Sequence, residues 1–348
     1  MKKIFFLGFM FLVFASNAQN LTEQLDSKRI MLPNGWSLSP AGRSIELGDL
    51  PLNIAVSGSE KFMAVSNNGQ SIQTIQLIDP KTEKILDKVE IPKSFYGLKF
   101  SKDDRFLYAS GGNDNWILKY ETASSKLLIR DTLKLGKTWP EKISPVGLEI
   151  DDARNLLYVV TKENNSLYIF DLLTNKIIHQ QSIGNEGYTC VLSPDKKTLY
   201  ISLWGGKKVA FFDTNLRKIT ASVDVSYNPN ELILNKAGNT LYVANSQDNS
   251  VSVIDVQARK VVEILNAALF PNSLTGSTTN GLALSKDERS LYIANADNNC
   301  LAVFNVSQKG KSVSKGFIPV GWYPTNVRVI EVKYLSVMEK DSLHSQIL

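Results

Sequence analysis

The fold is decided by the stretch Leu241-Tyr-Val-Ala-Asn-Ser-Gln-Asp-Asn-Ser-Val-Ser-Val-Ile-Asp255. Its first part, up to Asn245, is rich in residues that favour β-strands, and the segment from Val251 to Ile254 resumes the same pattern. The residues between them are Asn, Ser, Gln and Asp, which are common in tight turns. The stretch therefore predicts two antiparallel strands that are joined by a short turn.

The same fifteen-residue unit recurs along the chain. Copies that open with Leu-Tyr begin at Leu107, Leu157, Leu199, Leu241 and Leu291. A looser copy runs from Met63 to Asp79, and neighbouring copies start 42 to 50 residues apart. A further short strand pattern precedes each unit and another follows it. A repeat of about this length that is built from four strands is typical of one blade of a β-propeller.

The predicted fold is therefore all-β, a seven-bladed β-propeller of four-stranded antiparallel blades. Six blades are expected to begin near Pro51, Phe95, Pro145, Gly187, Pro229 and Asn280. Gly321 begins a seventh on schedule, but the usual turn and Leu-Tyr unit are not recognisable after it, so this last blade is expected to be incomplete. We expect residues 43–47 to pair into it as an N-terminal closing strand, because a closed ring exposes fewer strand edges.

Several motifs resemble a known family. The repeat unit and the turn Ser193-Pro-Asp-Lys-Lys197 resemble the YVTN-type β-propeller repeat of bacterial surface and periplasmic proteins. Leu32-Pro-Asn-Gly-Trp36, Ser39-Pro-Ala-Gly42, Leu47-Gly-Asp-Leu-Pro51 and Gly321-Trp-Tyr-Pro-Thr325 are similar to segments of proteins in which such a propeller precedes a phosphoesterase domain of the alkaline phosphatase superfamily. The resemblance, over roughly residues 30–330, implies a recognition module with a phosphoesterase domain encoded downstream. The repeat alone indicates a fold rather than a function.

Four segments are predicted along the chain. Residues 1–18 have two lysines, an apolar run and small residues at the end, which is the pattern of a secretory signal peptide. Residues 19–33 are a leader arm, residues 34–330 form the propeller, and residues 331–348 are an aberrant tail. A shifted reading frame would explain this tail, and a short protein with a divergent final strand is the alternative.

The signal peptide predicts a periplasmic or secreted protein of the cell envelope, with no membrane span after cleavage. Removal of the signal lowers the formal net charge from +5 to +3, which argues against nucleic acid as a partner. Cys190 and Cys300 fall in different blades, so we expect two buried free thiols rather than a disulfide. We expect the protein to be a monomer.

One rim of the ring is the candidate binding surface. The long connections 136–143 and 266–277 should lie on the same rim as the turn between the second and third strands of each blade, and loops on a rigid scaffold often bind ligands. The candidate ligand-binding residues on this rim are Asn67, Asn68, Trp116, Trp139, Trp204, Asn245, Asn295 and Tyr323. For Trp204 and Trp139, packing on a neighbouring turn remains the alternative to ligand contact. A second recurring set is interpreted as turn residues with positive φ: Asn115, Asn165, Asn249 and Asn299.

No catalytic residue is predicted. His179 lies in an outer strand and His344 in the tail, so a histidine-based site is not expected. One acidic residue per blade recurs at the end of the third strand and is interpreted as a turn residue on the opposite face: Asp79, Glu121, Asp171, Asp213 and Asp255. The favoured function is a binding or scaffold module with no catalytic site of its own and no cofactor, with the ligand unknown.

Two alternative functions remain open. A lactonase-like hydrolase would hold a divalent cation in the propeller channel through carboxylate and amide oxygens. The expected starts of the inner strands speak against it, because they carry Gly97, Gly147, Thr189, Asn230 and Gly281 instead of carboxylates. A cell-surface adhesion module would bind a protein or a glycan without a metal. The question of enzymatic activity stays open, with a non-enzyme favoured.

Overall fold

The computed structural model describes residues 29–31, 37–270, 272–331, 333–338 and 342–347. The predicted signal peptide, most of the leader arm and the block Leu32–Trp36 lie outside the described residues. The described N-terminal strands are β1 (Ile30–Met31), β2 (Ser37–Leu38) and β3 (Arg43–Glu46). β1 and β2 form a two-stranded sheet of their own. In the described part of the chain, no helix has the length and apolar character needed to cross a membrane.

Six antiparallel sheets of four consecutive strands follow, and we call them blades 1 to 6. Blade 1 contains β4 (Pro51–Val56), β5 (Met63–Asn67), β6 (Thr74–Asp79) and β7 (Lys84–Glu90). Blade 2 contains β8 (Leu98–Phe100), β9 (Phe106–Ser110), β10 (Trp116–Ala123) and β11 (Lys126–Lys134). Blade 3 contains β12 (Pro145–Asp151), β13 (Leu156–Thr161), β14 (Ser166–Asp171) and β15 (Lys176–Ser182). Blade 4 contains β16 (Gly187–Leu192), β17 (Thr198–Leu203), β18 (Lys208–Asp213) and β19 (Lys218–Asp224). Blade 5 contains β20 (Pro229–Leu234), β21 (Thr240–Asn245), β22 (Ser250–Asp255) and β23 (Lys260–Asn266). Blade 6 contains β24 (Thr279–Leu284), β25 (Ser290–Asn295), β26 (Cys300–Asn305) and β27 (Val313–Pro319). The predicted all-β propeller is thereby confirmed, and the predicted blade starts lie within a few residues of the observed inner strands.

A further sheet, which we call the closing sheet, has the strand order β28-β29-β30-β3. Its C-terminal strands are β28 (Pro324–Ile330), β29 (Lys333–Met338) and β30 (Ser342–Ile347). β3 is the outer strand, with Arg43 opposite Ser345 and Glu46 opposite Ser342. Where the sequence predicts an incomplete last blade, the structure pairs four strands, and the N-terminal strand takes the expected outer place.

The second strand of the closing sheet is difficult to recognise from the sequence because the turn before it is shorter than in the other blades. Ile330 pairs with Lys333, whereas the equivalent pair in blade 6 is Leu284 and Leu291. Leu335, Val337 and Met338 are almost completely buried against the neighbouring sheets. The segment that the sequence analysis assigns to an aberrant tail therefore contributes core residues to the described fold.

The Leu-Tyr pair explains why the repeat forms a ring. Each leucine packs into the hydrophobic cluster shared with the preceding blade, as Leu241 does between blades 4 and 5. Each tyrosine packs into the cluster shared with the following sheet, as Tyr242 does between blades 5 and 6. Adjacent residues of a strand point to opposite faces of the sheet, so one dipeptide supplies both interfaces. The outer strands instead alternate between exposed and half-buried residues, as in β19.

The inner strands complete a circle of neighbours around a central channel. β28 lies against β24 of blade 6 on one side and against β4 of blade 1 on the other. Glycines allow the closest approaches: a Cβ on Gly147 would lie 2.7 Å from Cα of Thr189, and one on Gly281 would lie 2.7 Å from Cα of Asn326. These glycines let the inner strands of neighbouring sheets meet at backbone distance.

The turns on the face opposite the long insertions are fixed by aspartates. In three blades, a serine hydroxyl donates to the aspartate two residues later: the pairs are Ser101 and Asp103, Ser193 and Asp195, and Ser285 and Asp287, each at 2.6 Å. A main-chain N–H two residues further on donates to the same carboxylate. The hydrogen bond from the serine is the largest of the effects that lower the pKa of each aspartate.

These turns predict how stability depends on pH. A carboxyl group whose pKa is lowered by folding stabilises the protein above its ordinary value of 3.8 and loses this contribution as the pH falls through the lowered pKa. Urea unfolding at pH 7, 5, 4 and 3 should therefore show a decline that begins below about pH 4. The triple variant Asp103→Asn, Asp195→Asn, Asp287→Asn keeps an acceptor oxygen but cannot titrate, so its acid decline should be shallower. Asp224→Asn, at an exposed site, is the control, and an equally steep decline in the triple variant would contradict the assignment.

Candidate functional site

Both long insertions lie on the predicted rim, and one asparagine side chain holds each of them. Asn115 precedes β10, and its Nδ2 donates to the carbonyl oxygens of Lys137 and Glu141, both at 2.6 Å. Its Oδ1 accepts from the main-chain N–H of Ser144 at 2.9 Å. The first insertion is thus fastened to the turn of blade 2, on the same side of the ring as the turns between second and third strands.

Asn249 plays the same part for the second insertion. Its Nδ2 donates to the carbonyl oxygen of Leu274 at 2.8 Å, and its Oδ1 accepts from the N–H of Ser277 at 2.6 Å. Asn299 accepts from the N–H of Tyr323 at 2.8 Å. The predicted positive φ is confirmed for all four recurring residues, with angles between 48° and 60°. The sequence interpretation missed that the side chains of Asn115, Asn249 and Asn299 also position loops of the rim.

Three of the candidate ligand residues have internal roles instead. Asn67, Asn245 and Asn295 are 0% exposed at the ends of their strands. Nδ2 of Asn245 donates to the hydroxyl oxygens of Ser250 and Ser252, at 3.0 and 2.9 Å. Asn67 makes the equivalent bonds to Thr74 and Gln76, and Asn295 donates to the carbonyl oxygen of Ala267. These three side chains are therefore not part of the surface that a ligand would contact.

Asn68, Trp116 and Tyr323 are half-buried at the rim. Asn68 is bound through its main-chain N–H to the carbonyl oxygen of Leu50 at 3.0 Å. The ring of Trp116 covers Gly111, where an added Cβ would lie 2.1 Å from the indole, and it packs against the core between blades 1 and 2. Packing thus accounts for Trp116, and Tyr323 lies near enough to Tyr188 to help raise the pKa of that phenol.

The remaining two candidates lie on the surface beside lysines. Trp139, in the first insertion, is 58% exposed, and Nζ of Lys142 lies 5.5 Å from its ring centroid. Trp204, in the turn before β18, has Nζ of Lys162 from blade 3 at the same distance. An ammonium group within about 6 Å of an aromatic ring is attracted to the negative face of the ring. Each tryptophan is therefore combined with a positive charge.

A third such pair was missed by sequence reasoning. Tyr227, in the connection between blades 4 and 5, is 51% exposed, and Nζ of Lys207 lies 3.5 Å from its ring centroid. Two of the loops that carry these pairs touch, because Asn228, next to Tyr227, donates to the carbonyl oxygen of Trp204 at 3.4 Å. We call this set of side chains the rim patch: Trp139, Lys142, Lys162, Trp204, Lys207 and Tyr227.

The central channel is a second site, and its charged residues were missed as well. It encloses a cavity of about 360 Å³, which is lined by the inner strands of all six blades and by β28. The sequence analysis considers only the starts of these strands, and further along them Glu149 of β12 and Glu231 of β20 both line the cavity. A carboxylate in the middle of a mostly apolar inner strand was the signal that could have revealed them. Each carboxylate is paired with a cation of the same chain.

Arg328 of β28 is the most connected of these groups. Its Nη2 donates to Oε1 of Glu231 at 2.6 Å and to Oδ1 of Asn53 at 3.3 Å. Its Nε donates to the carbonyl oxygen of Ile54 in blade 1, and its Nη1 donates to the carbonyl oxygen of Leu282 in blade 6. Burial opposes the charge of Arg328, but Glu231 and Tyr96 nearby outweigh this effect and raise the pKa of the guanidinium. One side chain thereby joins the closing sheet to blades 1, 5 and 6.

Tyrosines narrow the channel at the end that faces the rim. The rings of Tyr96 and Tyr188, from blades 2 and 4, lie 4.9 Å apart. Nδ2 of Asn326 donates to the hydroxyl oxygen of Tyr96 at 3.2 Å. Burial, followed by the nearby carboxylate of Glu231, raises the pKa of both phenols above the ordinary value, so both are neutral at pH 7.

The second ion pair of the channel joins blades 2 and 3. Nζ of Lys99 lies 3.0 Å from Oε2 of Glu149, and the side chains are 40% and 8% exposed. Cys190 of blade 4 is close by, and burial raises the pKa of its thiol well above the ordinary value, with Glu149 adding to the effect. Cys190 and Cys300 are both free and buried, as predicted.

The predicted turn carboxylates are confirmed in four blades. Oδ1 of Asp79, Asp171, Asp213 and Asp255 accepts main-chain N–H groups of the following turn, as from Leu173 to Asp171 at 2.8 Å. Glu121 differs, because it forms ion pairs with Arg105 and Arg130. His179 lies in the outer strand β15, as expected. Within the described ranges, no three His, Cys, Asp or Glu side chains are grouped so that they could hold a metal ion.

The Arg328 network predicts a large effect on stability. Arg328→Met leaves Glu231 as a buried carboxylate without its cation, and such a loss costs about 3–5 kcal/mol in the free energy of unfolding. The double variant Arg328→Met, Glu231→Gln should recover part of this loss. Lys126→Met removes an exposed ion pair with Asp87 and should cost less than about 1 kcal/mol. Urea unfolding measures all three, and a loss of stability in Arg328→Met no larger than in Lys126→Met would contradict the assignment.

Comparisons with solved structures agree with the observed architecture. The chain is similar to a structure titled Kuenenia stuttgartiensis Hydrazine Synthase, with a TM-score of 0.72 and 14% sequence identity over 87% of this chain and 97% of that one. It is also similar to a structure titled Structure of U3-55K, with a TM-score of 0.74 and 11% identity over 88% of this chain and 98% of that one. At these identities the similarity shows the fold alone. A search of curated protein sequences found no match.

The sequence profile of one family covers most of the chain. The profile is described as YNCE-like beta-propeller, and it matches residues 11–327. The matched region contains all six blades and the start of β28. The chain therefore belongs to the YNCE-like β-propeller family.

Proposed function

We propose that this chain is a ligand-binding module that uses the rim patch and has no catalytic site of its own. The observation that carries the proposal is the repeated pairing of an accessible aromatic ring with a lysine on neighbouring loops of one rim. Trp139 and Tyr227 keep more than half of their surface exposed, although large aromatic side chains are usually buried. Exposed aromatic and charged residues on loops of a rigid scaffold favour binding over packing.

The ligand class that fits this patch is a carboxylated saccharide. The face of an aromatic ring packs against the C–H face of a sugar, and the adjacent ammonium group pairs with a carboxylate on that sugar. The patch contains three rings, each beside an ammonium group, which suits a chain of several sugar units. Glu186 lies against Gly205 beside the patch, so the surface is mixed in charge and suits a ligand that is only partly anionic.

The proposal also includes the number of blades, the site of action after export and the monomeric state. The closing sheet is the seventh blade of a seven-bladed ring of YVTN-type repeats, completed by β3 as an N-terminal closing strand. The protein acts after export, in the periplasm or outside the cell, as a monomer without a nucleic-acid partner. The pairing of β3 with β30 supports the closure, and the pattern of residues 1–18 supports the export.

The resemblance to propeller–phosphoesterase proteins extends the proposal to a longer protein that also contains a phosphoesterase domain. The rim patch would then present a saccharide-bearing substrate to a phosphoesterase domain encoded downstream. Sequencing the gene beyond codon 320 tests this part of the proposal. A second frame that resumes with an Asn-Gly-Lys-Gly strand and runs into a phosphoesterase domain would support it, and a genuine stop with no open frame beyond it would remove it.

The two alternative functions are less well supported by the geometry. The lactonase alternative needs several carboxylates around one cation in the channel, whereas Glu149 and Glu231 each lie beside a different positively charged side chain of the protein. The adhesion alternative would use the same rim patch with a surface glycan or a protein as ligand. Its glycan form differs from our proposal only in where the saccharide is attached.

Isothermal titration calorimetry tests the proposed ligand class. The probes are oligosaccharides of galacturonate, of mannuronate and guluronate, and of hyaluronate, each with its methyl-esterified form as the neutral control. We expect at least one acid form to bind, and its ester to bind about tenfold more weakly or worse because the charge pairing is lost. Trp139→Ala and Tyr227→Ala should weaken both forms, whereas Lys142→Gln and Lys207→Gln should weaken the acid form alone.

The matched control lies on the opposite face of the ring. Leu173 is 76% exposed there, and Leu173→Ala should leave binding unchanged. The proposal would be wrong if no acid form binds, or if binding is insensitive to the four rim variants. A single-stranded oligo-dT that binds more tightly than every saccharide would replace the proposed ligand class with nucleic acid.

A further inference from the structure

The two ion pairs of the channel differ in how many of their hydrogen-bond donors and acceptors have partners within the protein. Arg328 has five N–H donors, and all of them have acceptors within the protein. Glu231 likewise uses both oxygens, because Oε2 accepts from the N–H of Leu282 at 2.7 Å. This pair is saturated, and its role is to hold the ring together.

Lys99 and Glu149 can each make further hydrogen bonds. The ammonium group of Lys99 has three N–H donors, and among the described residues its one acceptor is Oε2 of Glu149. Its side chain is 40% exposed, although it points into the ring. Oε1 of Glu149 accepts from the N–H of Ile150 at 3.1 Å, which leaves lone pairs on both oxygens. The pair can therefore accept a donor and donate to an acceptor at the same time.

The space in front of this pair is lined by both polar and apolar residues. The cavity of about 360 Å³ falls within the size range of small-molecule sites. Val56, Phe100, Leu284 and Val329 form the wall toward the face opposite the rim patch, and Val191 lies beside Cys190 on the wall. Tyr96 and Tyr188 narrow the other end, so a ligand would enter from the face opposite the rim patch.

From these features we infer that the channel binds a small zwitterion of the α-amino acid class with an apolar side chain. The carboxylate of the ligand pairs with Lys99, its ammonium group pairs with Glu149, and its side chain packs against the apolar wall. A ligand with only one of the two charges leaves either Lys99 or Glu149 without the added partner. This site is separate from the rim patch and does not depend on the saccharide proposal.

Titration of the full chain with L-leucine tests the inference. Isothermal titration calorimetry should give saturable binding with a stoichiometry of one. Isoamylamine lacks the carboxylate and 4-methylpentanoic acid lacks the ammonium group, and each should bind about tenfold more weakly or worse, because a hydrogen bond to a charged group contributes this much. L-Valine and L-phenylalanine extend the series if L-leucine does not match the size of the cavity.

Variants separate the channel site from general effects on folding. Lys99→Met and Glu149→Gln should each weaken binding about tenfold or more, and Val191→Phe should block the cavity without altering either charge. Lys126→Met, at the exposed pair with Asp87, is the matched control and should bind normally. Thermal unfolding of each variant without ligand shows whether the ring is intact. The inference fails if none of the three amino acids binds, if the single-charge analogues bind equally well, or if folded Val191→Phe binds normally.

Discussion

The structure depends on the hydrogen bonds of one half-buried guanidinium group. Arg328 is placed on the inner strand of the closing sheet, and from there it reaches carbonyl oxygens of Ile54 and Leu282 and the carboxylate of Glu231. A ring of sheets has no larger core that could hold its ends together, because each hydrophobic cluster lies between two neighbours. The join between the last and the first sheet has such a cluster too, which includes Ile54 and Leu335, and a further link ties the two sheets together. Arg328 supplies this link inside the channel, and the pairing of β3 with β30 supplies a second link at the outer edge.

The same architecture explains the two candidate sites. The hydrophobic clusters use side chains of the inner and middle strands, so the loops on the rim and the inner-strand residues that line the channel are left for binding. Asn115 and Asn249 position the two insertions by hydrogen bonds to their main chains, which leaves the insertion side chains available to a ligand. On the inner strands, the saturated pair of Arg328 and Glu231 stabilises the ring, whereas Lys99 and Glu149 face the open cavity. Stability and binding are thus assigned to different residues of one channel.

Much of the fold could be predicted from the sequence because its signals are local. Leu241 and Tyr242 are adjacent in the chain and pack on opposite faces of one strand. The Leu-Tyr repeat is therefore enough to predict the blades from the sequence. The site depends on contacts between distant residues, and these leave no local pattern. Arg328 and Glu231 are 97 residues apart, and neither belongs to a recurring motif. Asn245 shows the opposite error: it recurs at a loop end and looks like a ligand residue, but its amide is buried against Ser250 and Ser252.

Hydrogen exchange in the Arg328→Lys variant tests the central claim most directly, because lysine keeps the charge but cannot make the same set of directed hydrogen bonds. If Arg328 closes the ring, exchange should become faster in peptides that cover β4, β24 and β28, while β12 and β16 keep the protection of the wild type. Faster exchange in these peptides alone is the result that the account predicts. Unchanged exchange in all of them, or a uniform increase around the ring, would contradict it.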